Sequence, residues 1–273
     1  MSNLSLDWSG AAAPPRRGRA GDRRTVLIAV GLVVVAVVAA VAYFLVPWAV
    51  DTFEEKRLSG GCGVVVDGSP SGDAKTGFDV VEQLRDSLPA FLDKTDCKTV
   101  AFSPIDGSSE ISPCTARSLD LDPEVNQGGV ARESLWASRR ADALKRAESI
   151  ATCIRSDPRS RVGSDVLGGL KRSLRERPED DSHTLLVVSD FVNNDNNLVL
   201  DPKVGTDIRT PERRAAVLTM LEAKDRIPDL ADVRVFTAGY GVTLRAVPEE
   251  FSIFDAFWTE LMEVRAGCSE FRK

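Results

Sequence analysis

Five oxygen-bearing side chains lie at predicted turns, after apolar runs or ahead of a helix. They are Asp67, Ser69, Ser71, Ser164 and Asp190. In open α/β sheets, ligands bind at the carboxyl ends of the strands, so these side chains are expected at one edge of the sheet. Hydroxyl and carboxylate oxygens suit hard divalent cations. The sequence therefore predicts a metal site for Mg²⁺, with Mn²⁺ or Ca²⁺ as further candidates.

The elements that must position these side chains alternate between strands and helices. Strands are predicted at 62–67, 99–102, 184–189 and 233–238. Two of these apolar runs, at 62–67 and 184–189, do not alternate with polar residues, as expected of parallel strands covered on both faces. The clearest helices are predicted at about 131–155 and 211–224, with another starting at Ser164 or Asp165 and one closing the chain. The prediction is an α/β fold, a doubly wound, mostly parallel sheet with helices on both faces. The edges of the sheet remain unassigned.

The motif Asp67-Gly68-Ser69-Pro70-Ser71 resembles the DxSxS motif of the von Willebrand factor type A domain family. In that family, a hydroxyl on a second loop and an Asp on a third complete a metal-ion-dependent adhesion site. By resemblance these roles fall to Ser164 and Asp190. The resemblance covers residues 62–268 and implies a protein-binding domain whose cation accepts a carboxylate oxygen from an Asp or Glu of a partner. Ser164 departs from the commoner Thr, and Phe191 follows Asp190 where Gly is frequent.

Residues 25–50 form an uncharged segment of 26 residues. At about 1.5 Å per residue, the segment exceeds the roughly 30 Å hydrocarbon core of a bilayer, which predicts a transmembrane helix. Five Arg residues precede the segment and acidic residues follow it, so residues 1–24 are expected in the cytoplasm. A stalk at 51–61 and a domain at 62–273 would then lie outside, tethered to the cell membrane by a single pass. A cleaved signal peptide is the alternative, although its apolar core is usually shorter.

The charge of the chain bears on its partners. Five Arg and two Asp give the first 24 residues a charge of +3, which leaves −9 for the remainder of a chain with net charge −6. Phosphate contacts need clustered Lys and Arg, so nucleic acid is not an expected partner. The expected partner is a protein that supplies an acidic residue, and the Ala-, Val- and Arg-rich composition favours a bacterial envelope.

All five cysteines follow the apolar segment. They are Cys62, Cys97, Cys114, Cys153 and Cys268. They contain no CxxC pair, which favours disulfides in an oxidising compartment. Two disulfides leave one thiol, and five choices of that thiol with three pairings each give 15 arrangements. A Cys62–Cys97 pair is favoured, because each residue precedes an apolar strand and adjacent parallel strands would bring the two within bridging distance.

Two other functions remain open. A metal-independent scaffold subunit of an envelope complex would use the same fold without a cation. A haloacid-dehalogenase-like phosphatase also places a strand-end Asp beside magnesium, but its acid-base carboxylate belongs two residues later, where Ser69 stands. Neither GxSxG nor GxxxxGK occurs, so serine hydrolase and P-loop functions lack their motifs. We therefore expect no enzymatic activity.

Two further features are expected to be structural. His183, the only histidine, precedes Asp190 by seven residues on one predicted strand. At about 3.3 Å per residue the two lie roughly 23 Å apart, so His183 cannot act as a base for the site. Asn193 and Asp195 resemble the start of a calcium loop, but Leu198 replaces the required Gly, which favours a polar loop.

Overall fold

The structure is a computed structural model, and it describes residues 58, 60–69, 78–122, 129–158, 163–177, 183–200 and 205–273. The predicted tail 1–24, the predicted membrane helix 25–50 and most of the stalk lie outside the described residues, as does Ser71 of the predicted metal site. Among the residues that the structure describes, no helix is long and apolar enough to cross a bilayer. The predictions about the membrane therefore stay predictions.

Six strands form one mixed sheet in the order β3-β2-β1-β4-β5-β6. The strands are β1 Gly61–Asp67, β2 Thr99–Ile105, β3 Ala116–Asp120, β4 His183–Val188, β5 Val233–Ala238 and β6 Glu270–Arg272. All neighbouring strands are parallel except β2 and β3. The predicted α/β fold with a mostly parallel sheet is confirmed, and β3 and β6 supply the edges that the sequence left unassigned.

In the described part of the chain, five α-helices lie between these strands. They are α1 Val80–Lys94, α2 Gly129–Ser156, α3 Val166–Arg175, α4 Pro211–Ala223 and α5 Pro248–Thr259, which continues into a π-helical turn at Glu260–Arg265. Thr210 caps α4 by accepting a hydrogen bond from the Arg213 N–H, as its position before Pro211 predicts. Asp165 caps α3 by accepting from the Gly168 N–H. Of the two predicted starts of α3, Asp165 is therefore the cap, and Ser164 is left outside the helix.

Helices cover both faces of the sheet. Val65 of β1 belongs to the apolar cluster that includes residues of α3, α4 and α5. Val64 and Val66 belong to the cluster on the other face, which includes residues of α1 and α2. Successive side chains of a strand point to opposite faces, and every residue of β1 is buried. The non-alternating apolar run of β1 is thus explained by its central place in the sheet.

Two disulfides join elements on the α1 and α2 face. Cys62 pairs with Cys97, as predicted, and Cys114 pairs with Cys153, which leaves Cys268 as a buried free thiol. The chain is held to the domain even before β1. Leu58 is buried in the same apolar cluster, and the Lys98 N–H donates to the Gly60 carbonyl at 3.0 Å.

Candidate metal centre

Two aspartates meet at the carboxyl end of the central strands. Asp67 is the last residue of β1, and Asp190 lies two residues beyond the end of β4. The two strands are adjacent and parallel, with Val66 opposite Val188. Both aspartates are 0% exposed.

Hydroxyl and amide groups surround the Asp67 carboxylate. Its Oδ1 accepts a hydrogen bond from the Ser69 N–H at 2.9 Å. Its Oδ2 accepts from the Ser189 hydroxyl at 2.7 Å and from the Ser164 hydroxyl at 3.4 Å. The structure thus brings Ser69 and Ser164, on two separate loops, to the same carboxylate.

Asp190 is held in a similar way. Its Oδ1 accepts from the Val192 N–H at 3.0 Å, and its Oδ2 accepts from the Thr243 hydroxyl at 3.2 Å. Thr243 belongs to the loop after β5, so a third strand end contributes to the site. Four of the five predicted site residues therefore lie at one edge of the sheet, while Ser71 lies outside the described residues.

The electrostatics of the two carboxylates favour a positive ion. Burial raises the pKa of Asp67, against hydrogen bonds from Ser189 and Ser69. Burial, together with the nearby Asp67 carboxylate, raises the pKa of Asp190 to about 7. Within the described ranges, no Lys or Arg forms an ion pair with either aspartate. Two buried carboxylates without a cationic partner are costly when ionised, and a bound cation would remove that cost.

The donor set at this edge consists of oxygen atoms. Among the described residues there is no group of three or more His, Cys, Asp or Glu side chains that could hold a metal ion. The available ligands are two carboxylates and the hydroxyls around them, with lone pairs left over from their hydrogen bonds. Oxygen ligands of this kind suit Mg²⁺ or Mn²⁺, which retain several waters, rather than a thiolate or imidazole metal such as zinc. The residues present therefore fit a hard divalent cation.

The Ser164 loop is fixed by a polar network beneath it. Ser164 and Asn194 exchange two backbone hydrogen bonds of 2.8 Å each. Next to Ser164, Asp165 pairs with Arg226, which also pairs with Asp195 at 2.8 Å and with Glu110 at 3.3 Å. Burial raises the pKa of Asp165 to about 6, although Arg226 opposes this. Arg226 thus ties the loop that carries Ser164 to the loop that follows β4.

The calcium-like loop after Asp190 has a structural role. The side-chain oxygen of Asn193 accepts from the Val166 N–H at 2.9 Å, and its amide donates to the Leu198 carbonyl at 2.8 Å. The Asp195 carboxylate accepts from the Asn197 and Leu198 N–H groups as well as from Arg226. These oxygens support the loop that holds Asp190.

His183 lies away from this edge. It begins β4, whereas Asp190 follows the end of the same strand. Burial lowers the pKa of His183 to about 4, so the imidazole is neutral at physiological pH. Its predicted place at the opposite end of the sheet is confirmed.

Phe191 stands directly after Asp190, at the position where the resemblance leads one to expect Gly. Its φ is 61°, in the left-handed region that favours glycine. The ring packs edge-on against Tyr240 and Trp258, with ring centroids 5.2 and 5.1 Å away, and these contacts offset the cost of the left-handed backbone. The backbone conformation at this position therefore suits a Gly, although the side chain is a buried aromatic.

Sequence reasoning missed Ser189 and Thr243. Ser189 precedes Asp190 directly, so a second polar residue at the end of an apolar run was an available indication. Thr243 follows Gly239 and Gly241, which mark the end of the neighbouring strand β5. Its position at the same edge follows from the strand order, which the sequence did not reveal, and no motif indicated it.

Comparisons with known proteins add little to this geometry. No family model and no curated protein matches the chain. Among solved structures, the chain is similar to proximal thread matrix protein 1 from the mussel byssus, with 12% sequence identity and a TM-score of 0.33. The matched region covers 75% of this chain and 46% of that chain, so it spans less than half of the mussel protein.

Proposed function

We propose that this domain binds a protein partner through a divalent cation at the edge formed by β1, β4 and β5. Asp67, Ser69, Ser164 and Asp190 would hold the cation, together with Ser71. The observation that carries the proposal is the pair of fully buried carboxylates, Asp67 and Asp190, which have hydroxyl groups around them and no cationic partner in the described part of the chain. The bound cation would supply an electrophilic position for an Asp or Glu carboxylate of the partner.

The test is a titration of the full-length chain with Mg²⁺, followed by thermal unfolding. A cation that binds only the folded state at about 100 times its dissociation constant adds about 2.7 kcal/mol to the free energy of unfolding. We expect this gain in the wild type and its loss in Asp67→Ala and Ser164→Ala. Asp106→Asn is the matched control, since Asp106 follows the neighbouring strand β2 and is 1% exposed.

The same variants test partner capture. The full-length chain is used to retrieve proteins from the native cell surface, with Mg²⁺ and with chelator. Recovery of a partner only with Mg²⁺, and its loss in Asp67→Ala, supports the proposal. If Mg²⁺ changes neither stability nor recovery, the metal site is refuted. Turnover of a phosphate ester that Asp67→Asn abolishes would support the phosphatase alternative instead.

One observation favours the metal-independent scaffold as the second candidate. Every oxygen of Asp67 and Asp190 already accepts a hydrogen bond from Ser69, Ser189, Val192 or Thr243. The raised pKa values of Asp67 and Asp190 mean that both take up protons more readily than exposed aspartates, which lowers the cost of burying them without a cation. Partner recovery that is equal in Mg²⁺ and in chelator would identify this function.

We further propose that the domain acts on the outer face of the cell membrane, tethered by residues 25–50. Two disulfides within one small domain support an oxidising compartment. Protease treatment of intact cells tests this location. Digestion of the domain, with survival of an epitope placed in residues 1–24, supports the proposal, and protection of the domain would overturn it.

A further inference from the structure

A cleft of about 420 Å³ opens beside the candidate metal centre. It lies between the loop before α4 and the first two turns of α5. Its apolar lining residues are Leu200, Ile208, Leu244, Val247, Ile253 and Phe254. Val247 is 45% exposed, which leaves an apolar side chain open to solvent at the mouth of the cleft.

The cleft and the metal centre share one loop. Thr243 donates to the Asp190 carboxylate at 3.2 Å, and the next residue, Leu244, lines the cleft. The Gly241 N–H also donates to the Asp190 carbonyl at 3.0 Å, which fixes this loop against the site. An extended peptide advances about 3.3 Å per residue. A peptide with a carboxylate at the cation can therefore place a side chain a few residues away into the cleft.

The charges around the cleft are unbalanced. Asp207 and Arg209 line one side, where Asp207 pairs with Arg209 at 2.7 Å and also with Arg213, so this side carries no excess of negative charge. Glu249 and Glu250, in the first turn of α5, line the other side. Neither of these glutamates forms an ion pair with any residue that the structure describes. The α5 side of the cleft thus carries two negative charges beside an apolar floor.

We propose that this cleft determines which partner segment binds. The cleft binds an aliphatic side chain a few residues from the metal-bound Asp or Glu, and a Lys or Arg beside that aliphatic residue faces Glu249 and Glu250. The proposal rests on the proposed function, because the metal-bound carboxylate sets the position of the peptide. Burial of the aliphatic side chain supplies affinity, and the two glutamates supply preference for a basic neighbour.

The probe is a displayed library of random 12-residue peptides with one fixed central Asp, selected on the full-length chain in Mg²⁺. We expect enrichment of Leu, Ile or Met a few residues from the Asp, with Lys or Arg next to it. Replacement of the aliphatic residue of a selected peptide by Ser should weaken binding roughly tenfold or more.

Variants of the cleft separate selection from folding. The double variant Glu249→Lys with Glu250→Lys should lose the preference for Lys and Arg and should prefer Asp and Glu instead. Val247→Asp should abolish the aliphatic preference, and it keeps α5 intact because Asp is a favoured helix cap at that position. Glu82→Lys is the matched control, since Glu82 is an exposed residue in the first turn of α1, against the other face of the sheet.

The outcomes distinguish the two proposals. If Asp peptides bind only with Mg²⁺ but show no aliphatic or basic preference, the cleft proposal is overturned and the metal site is kept. The same conclusion follows if a preference is present but the cleft variants leave it unchanged. If peptides with the aliphatic and basic residues are still selected in chelator and by Asp67→Ala, the cleft proposal is kept and the metal site is overturned. If no peptide binds under either condition, both are overturned.

Discussion

Burial and the nearby Asp67 carboxylate make Asp190 release its proton at a higher pH than an exposed aspartate would. Its pKa is raised from 3.8 to about 7, and unfolding returns it to the ordinary value. Between about pH 4 and pH 7 Asp190 therefore holds more proton in the folded state than in the unfolded state, so its contribution to the free energy of unfolding falls as pH rises through that window. We expect the Tm of the metal-free protein to fall from about pH 5 to about pH 7.5, and Asp190→Asn to reduce this fall.

Mg²⁺ should oppose the fall in Tm, because a cation favours the ionised carboxylates of Asp67 and Asp190. The measurement is thermal unfolding across the pH range, with chelator and with Mg²⁺. Because His183 contributes a slope of opposite sign over part of this range, the comparison with Asp190→Asn is decisive: a slope that this substitution leaves unchanged would show that Asp190 does not carry the proton.

Phe191 combines a strained backbone with a buried ring. Replacement of a buried Phe by a much smaller residue costs about 3–5 kcal/mol, whereas Gly relieves the left-handed backbone by about 1–2 kcal/mol. The lost packing is the larger effect, so Phe191→Gly should lower the free energy of unfolding by about 1–4 kcal/mol. Urea unfolding measures this difference.

Asp232 provides the matched control for Phe191. Its φ is 63°, also left-handed, but its side chain is exposed. Asp232→Gly changes the backbone preference without any loss of packing, so the free energy of unfolding should change by less than about 1 kcal/mol. If Phe191→Gly proved as neutral as Asp232→Gly, the aromatic contacts of Phe191 would not contribute to stability.

The sequence indicated some of these residues and could not indicate others. Asp67 and Asp190 were predictable, since each ends an apolar run and parallel strands bring their carboxyl ends together. The hydrogen bond from Thr243 to Asp190 joins residues 53 positions apart, and no local pattern encodes it. The left-handed backbone of Phe191 was equally hidden, because an aromatic residue gives no sign of it.

At the scale of elements, Arg226 connects α3 to the loop after β4. Its partners Asp165 and Asp195 each have side chains 6% exposed. Arg226→Ala leaves two buried carboxylates without their cation, and loss of one partner from a buried pair costs about 3–5 kcal/mol. We expect a loss of this size in urea unfolding, together with weaker Mg²⁺ binding, because the Ser164 loop is no longer fixed.

The neighbouring pair of Lys171 and Asp225 is the control for Arg226. It also links α3 to the loop after α4, but the Asp225 side chain is 94% exposed. Water screens such a pair, so Lys171→Ala should cause only a small fraction of the loss and leave Mg²⁺ binding unchanged. Equal effects of the two substitutions would mean that Arg226 does not position the Ser164 loop.

Elements with a continuous apolar run or a clear cap were the most predictable. The apolar runs of β1 and β4 and the pair Thr210-Pro211 before α4 identified their elements from local patterns. The edge strands were harder. In β3, Ala116–Asp120, only Leu119 is buried, so an apolar pattern is absent. In β6, three residues pair with β5, which is too short for any periodicity.

At the scale of the whole domain, both disulfides stabilise the side of the sheet covered by α1 and α2. The Cys62–Cys97 disulfide closes a loop with a sequence separation of 35, for which loop-closure entropy gives about 3–4 kcal/mol. Cys62→Ala with Cys97→Ala should therefore lower the free energy of unfolding by about that amount, measured in urea without reductant. Cys268→Ala is the control: it removes a thiol outside both disulfides, and reductant should lower its free energy of unfolding by as much as it lowers that of the wild type. A double variant as stable as the wild type would contradict the prediction.

The burial of Leu58 ahead of β1 has a mechanical consequence. Under the proposed function, the membrane holds the chain at the Gly61 end of β1, and the partner pulls at the Asp67 end. Tension then runs along the length of this central strand. Its hydrogen bonds to β2 and β4 are evenly spaced along both sides, so they share the load in shear instead of opening one after another. The Cys62–Cys97 bond links the start of β1 to the chain just before β2, so under the proposed function the domain would resist unfolding while its partner is pulled.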